Sequence, residues 1–216
     1  MANISAGKWT LDASHSEAMF SVRHAGISRV RGTFEEFSGT ATFTDDLNGS
    51  VVEATVQADS VDTRNEGRDE HLRSEDFFDA ANHPQLKFES LEVANFDGES
   101  FDLNGNLTIR GVTKAVNFKG EFGGQTVDPF GLTRAGFEAA TDISREEFGL
   151  TWNAALEAGG FLVSDKVRIT LDVSFTKDED DPWWPPMTTV RFQTLLGILS
   201  ASSSWNLSAV NRLRIF

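Results

Sequence analysis

WTLDASHSEAMFSVRHAGISRVRGTF, residues 9–34, is the stretch on which the fold of this chain turns. Ala18, Phe20 and Val22 fall two apart, so an extended backbone places them on one face and Ser21 and Arg23 on the other. His15 precedes this run and His24 follows it. Gly26 and Gly32 bracket a corner where the chain is expected to bend or reverse. The pattern predicts a strand, a break, a second strand and the start of a third, as at the opening of a β-barrel or sandwich.

The same two-residue period recurs outward from that stretch. Phe37, Gly39, Ala41 and Phe43 share a face, and so do Val52, Ala54, Val56 and Ala58. Residues 65–78 break the alternation with a charged run and predict two short helical turns, with Ser74 as a cap and Phe77 and Phe78 just inside. Alternation resumes at Leu86 and Phe88, and Asp97-Gly98 marks a hairpin turn. Beyond it come Phe101, Leu103, Leu107 and Ile109, with Gly105 in phase as a bulge or bend. Val116, Phe118, Gly120 and Phe122 follow, ended by Gly123-Gly124. Phe137, Ala139, Thr141 and Ile143 precede one helical turn at 144–148. Val167, Ile169, Leu171, Val173 and Phe175 form the clearest strand. Many short alternating strands with one or two short helices predict an all-β antiparallel barrel of about eight strands, a closure that leaves no free edge.

Composition narrows the function. With 33 acidic against 19 basic residues the net charge is −14, which argues against nucleic acid and against docking on anionic lipid through a polybasic patch. There are no cysteines, so thiolate metal sites, disulfides and cysteine nucleophiles are excluded. The N-terminus shows no basic segment followed by an apolar run, so the expected location is cytoplasmic. Eighteen phenylalanines and no tyrosine supply apolar volume without polar handles, suited either to a packed core or to a cavity for a long apolar ligand.

Residues 182–216 differ in character. They hold three arginines, no acid, three Trp, three Pro and a serine-rich middle. The expected domains are therefore a barrel over 1–181 and an atypical tail over 182–216, non-native or disordered. A membrane-surface or partner-binding helix is the second expectation for that tail.

Signals for chemistry are weak. His15, His24, His71 and His83 lack metal-ligand spacing, and backbone-fixing roles at strand ends are favoured over a zinc site. No GxSxG elbow occurs, and no glycine-rich phosphate loop stands in the required context. Arg23, Arg110 and Arg168 are candidate anion contacts at a barrel mouth. Three alternatives stay open on the residues alone: a lipid binder, an enzyme on an apolar substrate using a pair among His24, His83 and nearby acids, and an interaction module whose barrel is filled by its own side chains.

Trp9-Thr10-Leu11-Asp12 with His15-Ser16, Phe20, Val22, His24 and Gly32-Thr33-Phe34 resembles the opening of the YceI family, the polyisoprenoid-binding proteins. Further similar pieces follow in the family's order: residues 71–78, His83-Pro84 with Phe88 and Ser90, residues 107–114, and residues 143–149. Together they span about 7–176. The resemblance implies a lipocalin-like barrel with a long apolar tunnel, non-catalytic binding, storage or transport of a polyisoprenoid such as a quinone or prenyl phosphate, and a homodimer. No other cofactor, no metal and no stable membrane insertion are expected. From alternation, Phe20, Val22, Phe43, Phe88, Leu103, Phe118, Phe137 and Ile169 are nominated as tunnel lining, with Arg23 and Arg110 at a head group.

Overall fold

Strand follows strand because one face of each run is apolar and most turns between them carry glycine or Asp/Asn. The computed structural model describes residues 4–157 and 159–178, so the tail from 182 lies outside the described residues. Eleven strands form one antiparallel sheet: β1 Gly7–Leu11, β2 Glu17–His24, β3 Ser28–Phe34, β4 Phe37–Phe43, β5 Val51–Gln57, β6 Val61–Asp62, β7 Gln85–Ala94, β8 Ser100–Ile109, β9 Val112–Val127, β10 Thr133–Ser144 and β11 Val163–Lys177. Among the described residues there is one α-helix, α1, over Glu66–Arg73. The order β1-β4-β5-β7-β8-β9-β10-β11 closes through β1–β11 pairing into an eight-stranded antiparallel barrel, while β2, β3 and β6 extend from the other part of β11.

The closure turns on β11. Along one edge it pairs with β10 from Ser144↔Lys166 to Arg134↔Thr176. Its other edge is shared: β2 takes Val163↔His24 to Asp172↔Glu17, and β1 takes Leu11↔Phe175 to Trp9↔Lys177. Between β1 and β2 the chain jogs outward through one 3-10 turn at Ala13–His15. Two polar contacts carry the ladder across this jog. The Asp12 N–H donates to Ser174 O at 2.8 Å, and the Ser174 N–H donates to Ser16 Oγ at 2.9 Å. His15 Nδ1 lies 2.8 Å from Asp12 Oδ2. Histidine and serine of the opening motif thus fix a corner.

Three local expectations are corrected. The helix begins earlier than predicted: Asn65 is its N-cap, accepting from Arg68 N–H, and Ser74 is the C-cap. Gly32 is no corner but the middle of β3, directly opposite Phe20. Gly123-Gly124 do not end their strand; β9 continues to Val127 and absorbs the glycines at a bulge beside Gly136/Phe137.

Candidate functional site: an apolar tunnel of two chambers

Inward residues of the closed ring leave a chamber of about 180 Å³ lined by Phe43, Phe88, Leu103, Phe118, Phe137, Ile169 and their neighbours. Lys87 is the one charged residue among those lining it. A second chamber of about 230 Å³ lies toward the β2–β3 end, and Phe20, Phe34, Leu86, Ile109 and Ile169 line both. Cavities of roughly 150 Å³ with such walls stay dry and admit apolar molecules. The far end of the ring is shut by Ile4, Trp9 and Leu47, all fully buried, with Trp9 Nε1 donating to Ser5 O at 3.1 Å.

A barrel so rich in phenylalanine would fill itself if its rings pointed to the axis. Three of them do not, because glycine lies across the ladder or diagonal to it. A Cβ on Gly32 would sit 2.5 Å from Phe20 Cζ, and Cβ atoms on Gly105 and Gly120 would collide with the rings of Phe88 and Phe101. Each ring folds flat over a glycine, the arrangement by which an aromatic covers a bare stretch of sheet. Wall material therefore stays at the wall, and a lumen remains.

The second chamber is covered by side chains, not by ladder. Leu72 of α1, Phe77 and Phe78 close it on one side, and Phe148, Leu150 and Trp152 on another. His71 stacks edge-on against Trp152 with centroids 4.6 Å apart, contacts Phe77 likewise, and bonds Asp76 at 2.9 Å. Polar tethers hold α1 in place. Buried Asp69 accepts from Thr63 N at 2.9 Å and Thr63 Oγ1 at 2.5 Å, and Arg73 donates to Asp59 O and Val61 O. Buried Arg145 staples the opposite cover, donating to the carbonyls of Ser164, Leu150, Trp152 and Val163. A guanidinium has five donors in a rigid fork, so it can gather several carbonyls that no ladder satisfies. The lining of this chamber includes Arg23, His24, Arg68, His71 and Arg145 and no carboxylate.

Residues 9–175 match the family model described as YceI-like domain. The chain belongs to the YceI family. It is 42% identical over 146 residues to a UPF0312 protein of Pectobacterium carotovorum, covering 67% of this chain and 75% of that one. It is also 42% identical over 142 residues to Protein YceI of Salmonella arizonae, covering 65% and 73%. Among solved structures, the YceI protein of Campylobacter jejuni aligns with TM-score 0.63 at 29% identity, over 73% of this chain and 90% of that one. Burkholderia cenocepacia BcnA aligns with TM-score 0.67 at 21% identity, over 76% and 98%. A polyisoprenoid binding domain from Saccharophagus degradans, implicated in plant cell wall breakdown, aligns with TM-score 0.60 at 15% identity, over 81% and 100%. The last two share the fold.

In this YceI barrel the nominated residues fall as follows. Phe43, Phe88, Leu103, Phe118 and Phe137 line the closed chamber, Val22 and Arg23 the second, and Phe20 and Ile169 both. Arg110 lines neither: it occupies the tight β8–β9 turn with φ +51°, and its guanidinium donates to Gly149 O at 3.2 Å. Alternation did not reveal Phe34, Phe77, Phe78 or Trp152, although residues 71–78 and 143–149 were marked by motif. His83, considered for chemistry, lies 3.9 Å from Asp79 and lines neither chamber.

Proposed function

We propose that this YceI-family protein is a non-catalytic carrier that binds a long apolar lipid of the polyisoprenoid class, such as a prenyl-tailed quinone or prenyl phosphate. The single observation behind this is the pair of adjoining apolar chambers, which share five lining residues and whose walls hold phenylalanines folded over glycines. The polyisoprenoid binding domain of Saccharophagus degradans shares the fold, which lends the reading further support.

Energetics define the task. At ~0.8 kcal/mol per methylene, withdrawing about forty carbons from water would exceed ~30 kcal/mol, beyond the ceiling of roughly 21 kcal/mol for any non-covalent complex. The true exchange partner is a bilayer, where the chain is already dry. Transfer from membrane to tunnel is then nearly balanced, which suits loading and delivery.

Native mass spectrometry of the purified protein, followed by lipid extraction, tests this. Bound isoprenoid lipid, or uptake of a long-chain quinone from vesicles, is the expected result. Neither appearing would end the proposal. Phe118→Trp, in the wall of the closed chamber, should lower the load of long chains several-fold while leaving the far-ultraviolet spectrum unchanged. An unchanged load would remove Phe118 from the binding wall.

A further inference from the structure

The outer wall of the barrel carries its charge in two separated bands. Glu121 of β9, Glu138 of β10, Asp172 of β11 and Glu17 of β2 are directly opposed, strand to strand, in one acidic row. Six residues along β2 the sign has reversed: Arg23 stands opposite Arg29, and Arg31 stands opposite Ser21, whose other neighbour is Arg168. Arg23, Arg29 and Arg31 are exposed and have no carboxylate within ion-pair distance among the described residues. Like charges directly opposed across a ladder are unfavourable, so this placement runs against the easiest arrangement in a chain with excess acid. At about 3.3 Å per residue the two bands are roughly 20 Å apart, more than two Debye lengths of ~8 Å at physiological salt. A surface approaching the arginine band therefore meets a positive patch, whatever the net charge.

That band borders the mouth of the second chamber, and the same end carries an apolar lip. Ile27 at the β2–β3 turn is 86% exposed and Phe161 is 69% exposed. The two tips are joined: Ala25 N–H donates to Leu162 O at 2.7 Å, and His24 pairs with Val163. Arg23, His24, Leu162 and Val163 all line the chamber. Among nearby acids, Asp142 pairs with Lys166 at 2.9 Å and with Arg168 at 3.6 Å, and Asp165 accepts from Ser144 Oγ and Glu146 N–H. Asp62 of β6 stands opposite Thr33, two residues along β3 from Arg31, and its carboxylate accepts from Arg64 N–H. The opposite end of the barrel also exposes an apolar side chain, Phe130 at 90%, but its neighbours Asp128 and Arg134 are paired with each other. Apolar tips flanked by unpaired arginines are the means by which a folded domain rests on an anionic bilayer, the rings entering the interface and the guanidinium groups meeting phosphates.

We infer that the β2–β3 hairpin and the adjoining tip at Phe161 and Leu162 form a docking surface for bilayers containing anionic lipid, which presents the mouth of the tunnel to the membrane interior. The inference rests on the lipid-carrier reading for its purpose, but its test does not.

The full chain is floated with vesicles of phosphatidylcholine, with and without phosphatidylglycerol. Co-flotation is expected with the anionic vesicles, and it should be lost on pure phosphatidylcholine and in high salt. At about 1 kcal/mol per surface arginine, Arg29→Gln with Arg31→Gln should weaken vesicle binding about ten- to thirtyfold. Ile27→Ser with Phe161→Ser should also weaken it several-fold, whereas Phe130→Ser should leave it unchanged. Equal binding to neutral vesicles, no binding to anionic ones, or wild-type affinity in the double arginine variant would overturn the inference. Uptake of a long-chain quinone delivered in detergent is measured alongside. Both double variants should load as wild type does. If wild type itself takes up nothing from detergent, the carrier reading fails while the flotation result still decides the docking surface.

Discussion

The two chambers are built on opposite principles. Around the first, every wall strand is hydrogen-bonded to two neighbours, and its blind end is plugged by Ile4, Trp9 and Leu47. Around the second, the β11 edge has passed from β1 to β2, and the sheet runs on into β3 and β6 instead of closing. Cover there comes from α1, Phe77, Phe78 and the Arg145 staple. Backbone ladders fix a wall cooperatively, whereas side-chain covers open locally at low free energy. A carrier needs both properties: a rigid dry store, and a mouth that yields.

The largest expected effect separates them. Trp9→Ala removes a fully buried ring in tilted contact with Phe43 at 5.6 Å and should cost about 3–5 kcal/mol. Phe77→Ala opens onto a space that already exists under a cover built from side chains, so its cost should be nearer about 2 kcal/mol, because the penalty depends on the new cavity and on local relaxation. Chemical denaturation of the two variants measures both. Equal losses would break the contrast between a ladder-built and a side-chain-built chamber.

A middle-sized effect is expected where the chambers meet. Gly32 has an ordinary extended backbone, so alanine meets no conformational obstacle there; the obstacle is the Phe20 ring at 2.5 Å and Thr63 Cγ2 at 2.8 Å. Gly32→Ala should cost about 1–3 kcal/mol and turn Phe20 toward the lumen at the junction it lines. Short prenols should still load and long ones should not, a ratio that mass spectrometry reads directly. An unchanged ratio would show that the ring has room elsewhere and that the junction is wider than its lining suggests.

Much of this was legible in the sequence, for a definite reason. Where one sheet face is buried, a period of two sorts residues without knowledge of their partners, and the eight apolar residues picked out by it each line one chamber or both. What the period could not give is register. Glycine signals a bend and glycine signals a seat for a ring; only the pairing Phe20↔Gly32 tells which. Arg23, Arg29 and Arg31 likewise vanish into a net charge of −14 until the ladder sets them side by side. The helix start is hidden from the sequence because residues 66–71 offer no apolar periodicity; α1 is anchored by polar bonds to Thr63, Asp59 and Val61, which no hydrophobic pattern reports. Phe77, Phe78 and Trp152 lie outside the regular strands, where no period applies.

The smallest effect concerns the jog that divides the two regimes. Asp12 accepts from Ser14 N at 3.0 Å and Ser14 Oγ at 2.6 Å, bonds His15, and pairs with Arg134 at 2.5 Å; Arg134 in turn holds Asp128 at 2.7 Å. These hydrogen bonds, from Ser14 first and then Arg134, hold the Asp12 carboxyl far below the usual carboxylate range. A depressed folded pKa means that the carboxylate stabilises the fold at pH values above the unfolded value of about 3.9, and that this contribution fades as pH falls from there through the folded pKa. Asp12→Asn removes the charge and keeps the shape. At neutral pH it should cost about 1–2 kcal/mol, and the gap from wild type should shrink steadily below about pH 4. Urea midpoints across that range measure it. A gap independent of pH would mean that the two contacts to Ser174, from Asp12 N–H and to Ser16 Oγ, hold the corner without help from the charge, and that the ion pair to Arg134 contributes nothing to keeping β1 and β2 on one edge of β11.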